Sequence, residues 1–338
     1  MKFGLIGLLL LISCSSWKQK DFEKEVNKAP ESAAPEVNAD KKLLERFEVI
    51  TVADPTPAQK ASTKKVEIKK GKPNNVKVVA PITPVAAKKT IPPEMVDINN
   101  KAKKVWNLYR SNHYENDKLY LDIHYLGMTV GKIMVMNRGK KMINGKEVWH
   151  LHARFKSAPF YSHVYELDDT VDTYVTTDQF LSIRYSLIQR ESKQDIDDLQ
   201  LHDRDNFTTF WFYKQKKSDG SIKEKKEEKP IPFYSIDPFS VVFFYQGLPL
   251  KDKDVYEIPL INKGKILILK SVVEGREVLD TELGKKRAIR VHATTQYTGE
   301  TFKSGDLYFW FSDDHKRALL SAKAKIKIGS VTADIVKE

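Results

Sequence analysis

The sequence predicts a mainly β protein: one large curved antiparallel sheet, barrel or half-barrel like, with one or two short helices and a long disordered N-terminal tether. Three observations carry this expectation. Apolar and polar residues alternate with period two through much of residues 104–338. Turn-forming pairs, Asn144-Gly145 and Asp219-Gly220, separate successive alternating runs. Nine of the fifteen prolines lie before residue 100, where aromatics are almost absent.

Residues 1–14, MKFGLIGLLLLISC, place one lysine before an apolar run that is too short to span a bilayer, which takes about 20 residues. The run reads as the hydrophobic region of a signal peptide. Leu11-Ile12-Ser13-Cys14 resembles the lipobox of bacterial lipoproteins, in which the cysteine is lipidated and becomes the first residue after cleavage. Cys14 is the single cysteine of the chain, so lipidation leaves no thiol for a disulfide. The resemblance implies stable anchoring, since two acyl chains suffice where one does not. Ser15 follows the cysteine where aspartate would favour inner-membrane retention. The expected location is therefore the outer membrane, facing the periplasm, or the outer face of the plasma membrane in a one-membrane bacterium.

Residues 15–103 are expected to be a disordered Pro/Ala/Lys-rich tether, because such a composition buries too little apolar surface to offset its ordering entropy. Within it, ADKKLLERFEVI is compatible with a short amphipathic helix carrying Leu43, Leu44 and Phe47 on one face, marginal in isolation.

The net charge of +12 raises the question of nucleic acid. The excess is +4 over residues 15–100 and +7 over 101–338, without a basic stripe or a reading module. No nucleic-acid partner is expected. Short pairs such as Lys64-Lys65, Lys69-Lys70 and Lys88-Lys89 offer a contact to anionic lipid or a polyanionic wall, although a solvated basic surface is the plainer reading.

In residues 104–338, Leu119, Leu121, Ile123 and Tyr125 alternate with Tyr120, Asp122 and His124. Trp149, Leu151, Ala153 and Phe155 oppose His150, His152 and Arg154, a face expected to be wet. Ala322, Ala324, Ile326 and Ile328 oppose Lys323, Lys325 and Lys327. About ten to twelve strands fit the length. One helix is expected in SIDPFSVVFFYQGLPL, with Asp237 as N-cap, Pro238 in the first turn and Gly247 as the stop. Being apolar nearly all round, it should plug the curled sheet. A second helix is expected in NNKAKKVWNLYRSN, with Val105, Leu108 and Tyr109 on its stripe.

Five ordered segments, among them YLDIHYLGMTVGKIMVM, FYSHVYELDDTVDTYVTTDQFLSIRY and LYFWFSDDHKRALLSAKAKIKIGSVTADIV, resemble the domain-of-unknown-function 3108 family of bacterial envelope proteins over residues 112–336. The resemblance implies a curved antiparallel sheet in the envelope and carries no catalytic residues. The chain departs from it in the long tether and a Lys-rich insertion near residues 214–229.

Candidate chemistry is sparse. Ser312, Asp313, Asp314 and His315 are consecutive between two strands, where Ser and Asp favour a turn over a convergent triad. His150 and His152 offer two imidazoles on one strand face, but a zinc site needs three or four ligands. Asp168, Asp169 and Asp172 lack the spacing and glycine of a calcium loop. No metal, cofactor or phosphate loop is assigned. The leading expectation is a non-catalytic binding or scaffolding module whose partner is an envelope protein, a lipid or a wall polymer. A lipid carrier within the sheet is the alternative, and an envelope hydrolase the third.

Overall fold

The computed structural model describes residues 34–51, 90–113, 117–298 and 303–337. Cys14, Ser15, the three lysine pairs and the Pro/Ala-rich stretch before residue 90 lie outside the described residues.

Eight strands form a continuous antiparallel meander: β2 (Lys118–Tyr125), β3 (Met128–Ile143), β4 (Lys146–Ser157), β5 (Asp168–Thr176), β6 (Ser182–Glu191), β7 (Gln194–Asp203), β8 (Thr208–Lys217) and β9 (Ile222–Pro230). A second meander follows: β10 (Val255–Asn262), β11 (Lys265–Thr281), β12 (Gly284–Tyr297), β13 (Lys303–Ser312), β14 (Leu319–Lys325) and β15 (Ser330–Ile335). The last strand of the second pairs with the first strand of the first, Ala333 opposite Ile123, so the two meanders fuse into one sheet ending in β9 and β10. Residues 231–236 bridge those ends. Ile231 donates to the Phe207 carbonyl at 2.8 Å, Ile236 to the Pro259 carbonyl at 3.1 Å, and Ile261 back to the Ile236 carbonyl at 2.8 Å. A sheet this long must curl or split, and capping its edges removes unpaired backbone groups.

The expected turns form. Asn144 and Gly145 both take positive φ, 49° and 70°, between β3 and β4, the geometry that matches strand twist in a two-residue hairpin. At the β8–β9 turn the Asp219 carboxylate accepts from the Ser221 amide at 2.8 Å.

The interior is packed with the chain's own side chains. Helix α4 (Val241–Gln246) and helix α2 (Val96–Trp106) enter the concave side, where Tyr109 stacks on Phe244 at 4.9 Å and Trp106 meets it at 4.5 Å. Tyr245 contacts Phe309 and Phe311 at 5.8 and 5.5 Å. Asp237 does the capping expected of it, accepting from the amides of Phe239 and Ser240 at 3.0 and 2.8 Å, although the regular helix begins a turn later. Its other oxygen accepts from Thr173 and Ser182, both at 2.6 Å, which ties the plug to β5 and β6. Gly247 ends α4 with an ordinary φ of −90°, so its role is steric rather than conformational. A Cβ there would stand 2.3 Å from the Tyr109 ring and 2.5 Å from the Arg110 carbonyl.

Four expectations are corrected. Part of the stretch read as disordered, residues 34–51, is structured: α1 (Lys41–Arg46) and β1 (Ile50–Thr51) lie on the convex face of the sheet. The reason is Phe47, 1% exposed, whose ring seats among Ile143, Val148, Leu199, Leu201 and Phe212 and supplies the apolar burial that composition seemed to deny. Residues 96–103 likewise belong to α2 rather than to a tether. Leu108 is exposed, because α2 ends at Trp106 and the stripe does not continue; Ile326 and Ile328 are exposed because β14 ends at Lys325 and a turn follows. Among the described residues no helix is long and apolar enough to cross a membrane.

Candidate functional site

The alternation of β4 sends Trp149, Leu151 and Ala153 into the concave core and His150 and His152 to the convex face. That face was expected to be wet, and here it is not: the two histidines are 4% and 3% exposed. The strap formed by residues 34–51 covers this part of the sheet, and β1 holds on by pairing Ile50 with Met142 and Thr51 with Lys141. That edge of β3 is open because β2 pairs only as far as Met136.

The third member comes from register. β4 and β5 pair with His150 opposite Tyr174 and His152 opposite Asp172. One carboxylate oxygen, Asp172 Oδ1, bonds His150 Nε2 at 2.6 Å and His152 Nδ1 at 2.8 Å. Tyr174 stacks on the His150 ring at 4.5 Å and fixes its plane. Burial would raise the Asp172 carboxyl, but the two histidine bonds outweigh it and hold the group well below the usual carboxylate range. For His150 burial prevails, depressing its pKa against the pull of Asp172, with Arg138 adding repulsion.

Between strap and sheet lies a cleft of about 510 Å³. His150, Asp172, Tyr174, Arg184 and Ser186 line its sheet side, and Val37 and Leu44 are among the strap residues above. Arg184 also latches the strap, donating to the Phe47 carbonyl at 2.9 Å. Arg46 adds an ion pair to Asp203.

The remaining candidates resolve into separate local structures. Asp168 takes a two-pronged pair from Arg154 at 2.8 and 2.7 Å. Asp169 points to the opposite face, accepts from Gln189 at 3.0 Å, and is pushed up to about 7 by burial. The three aspartates thus serve three different partners. Ser312 donates to Asp314 at 2.8 Å, and Asp314 also receives the amides of Lys316 and Arg317 at 2.9 and 3.1 Å. Asp313 pairs with Arg287 at 2.9 Å, and His315 is an exposed turn residue whose carbonyl accepts from Asn112 at 2.6 Å. The cluster is built as a turn.

Residues 121–336 match the family described as Protein of unknown function (DUF3108). The chain belongs to this family. No curated protein matches it significantly. Among solved structures, this DUF3108 protein is similar to a β-barrel-like protein of the DUF1849 domain from Brucella abortus, at 10% identity and TM-score 0.42, covering 65% of this chain and 95% of the other. A protein from Bacteroides fragilis described as exported, with a YmcC-like fold, aligns at 9% identity and TM-score 0.30 over 68% and 97% of the two chains. One from Parabacteroides distasonis described as a lipoprotein aligns at 9% identity and TM-score 0.27 over the same shares.

The His-x-His spacing on β4 and the Asp172 carboxylate are both readable in the sequence of this DUF3108 protein. Their meeting is not, because nothing local says which residue of β5 faces His152. The strap residues were missed as part of the site, and the one available signal was the isolated Leu43, Leu44, Phe47 stripe.

Proposed function

We propose that this DUF3108 protein is an envelope lipoprotein, anchored through Cys14, whose β domain is a non-catalytic module that binds its ligand in the cleft between strap and sheet. The observation that carries the reading is the roof of that cleft: it is made by residues 34–51, part of the stretch of chain between the anchor and the domain. A ligand held there touches both the sheet and the tether, so occupancy and the position of the domain relative to the membrane are mechanically coupled.

The packed concave interior favours this reading over a lipid carrier. The large aromatics of α2 and α4 occupy the space that an acyl chain would need. The binding surface is instead mixed, with Arg184, Lys141 and Lys41 beside Glu45 and Glu48, which suits a polar wall fragment or peptide better than a fatty chain. Ser15 after the lipidated cysteine supports an outer-membrane location, with the domain in the periplasm.

The test is fractionation and native mass spectrometry of the protein from its own envelope. Wild type should partition with membranes and Cys14→Ser should become soluble. A co-purified polar ligand should be lost when Leu44→Asp disturbs the roof. Recovery of a bound phospholipid or free fatty acid that survives Leu44→Asp would favour the carrier and refute the cleft.

A further inference from the structure

Two imidazoles and a carboxylate converging in a cleft are a set of metal donors as well as a hydrogen-bonded cluster. The candidate ligand atoms of His150, His152 and Asp172 all lie within 4.8 Å of one another, and all three side chains are buried. We propose that these three residues bind one divalent transition-metal ion, with zinc as the reference ion.

The geometry requires a modest side-chain rearrangement. A tetrahedral zinc ion with bonds of about 2.0–2.1 Å sets its ligand atoms roughly 3.3 Å apart. Here His150 Nε2 and His152 Nδ1 stand 2.6 and 2.8 Å from Asp172 Oδ1, so those two separations must open by roughly 0.5–0.7 Å, while the two nitrogens, within 4.8 Å of each other, must close by at most about 1.5 Å. Each neutral imidazole offers its lone pair after its proton moves to the other ring nitrogen. The ion then replaces the two protons that now face the shared oxygen, and the ligand set loses no net proton. The backbone spacing is rigid, because His150 and His152 sit on one strand and Asp172 is the cross-strand partner of His152. Tyr174 against His150 restrains the ring before the ion arrives.

The donor set selects the class of ion. Calcium takes six to eight oxygens, and copper(I) prefers thiolates or thioethers; two nitrogens and one oxygen suit zinc and its first-row neighbours. Three protein ligands leave a fourth position. His150 and Asp172 line the cleft, so that position opens into it, beside Arg184. One carboxylate against a divalent ion leaves a local charge of +1, and the adjacent guanidinium favours an anionic fourth ligand, such as a carboxylate or phosphate oxygen.

The experiment uses the full chain in detergent, stripped with chelator and titrated with Zn²⁺ alone, so that it does not depend on the identity of any cleft ligand. Wild type should retain one zinc per chain, and its melting temperature should rise with zinc and fall back with chelator. Co²⁺ in place of zinc should give the intense visible bands of a four-coordinate ion, and the bands should shift when acetate or phosphate is added. Asp172→Asn and His152→Ala, each checked for folding by circular dichroism, should weaken zinc binding by about 10²-fold or more. The proposal is overturned if wild type holds no stoichiometric zinc, or if both variants bind it as tightly as wild type. Failure here leaves the cleft reading standing, since that reading is tested by co-purified ligand rather than by metal.

Discussion

Replacing Phe47 by alanine tests whether the strap is a latch held by one side chain. Phe47 is 1% exposed and shares a cluster with seven other buried residues from six strands, β3 to β8. Truncating such a phenylalanine costs about 3–5 kcal/mol, the lost transfer energy together with the cavity left behind. The Arg184 bond to the Phe47 carbonyl is unaffected, because the acceptor belongs to the backbone. Nearly all of that cost therefore falls on docking of the strap, and at about 1.4 kcal/mol per tenfold the open population should rise by roughly 10²-fold or more. Hydrogen exchange read by mass spectrometry is the assay. The Leu44 and Phe47 amides, which donate within α1 to Asp40 and Leu43, should exchange roughly 10²-fold faster. Amides in β12 should keep wild-type rates, since the concave core does not touch the strap. Unchanged protection at Leu44 and Phe47 would refute the latch. Equal acceleration in β12 would also refute it, by showing that strap and sheet unfold as one unit.

Asp198 is fully buried, and that burial lifts its pKa from 3.8 to about 6 against the opposing pull of Lys263 and a bond from Gln200. Its folded pKa is raised, so the folded state holds the proton longer than the unfolded state and stability should fall as pH rises from about 4 through 6. Asp198→Asn should remove about 3 kcal/mol of that fall; urea titrations at pH 4 and pH 8 measure it, and an unchanged difference would mean the carboxyl ionises freely. Gly247→Ala should cost about 1–3 kcal/mol and lower the melting temperature, because the new Cβ collides with the Tyr109 ring and the Arg110 backbone, which cannot both retreat. Asp237→Ala should cost about 2–4 kcal/mol by orphaning the Ser240 and Phe239 amides and the Thr173 and Ser182 hydroxyls; calorimetry at neutral pH would show a cost below 1 kcal/mol if water replaced the carboxylate.

Sequence alone determined the fold class, the alternation within strands, the hairpin turns and the plug helix, because each follows from contacts made within a few residues: alternation, a pair of positive-φ turn residues, a capping aspartate; it undercounted the strands, ten to twelve expected against the fourteen from β2 to β15. It placed the domain within a family for the same reason, through the order of local segments. Tertiary structure decided the rest. Period two shows that His150 and His152 share a face, but whether that face is wet depends on what lies across it, and the cover comes from Phe47, about a hundred residues earlier in the chain. Asp168, Asp169 and Asp172 look alike in sequence, yet strand register gives one to Arg154, one to Gln189 and one to the two histidines. Register and cover are long-range properties, set by which strand lies beside which, and a reading of local periodicity carries no term for either.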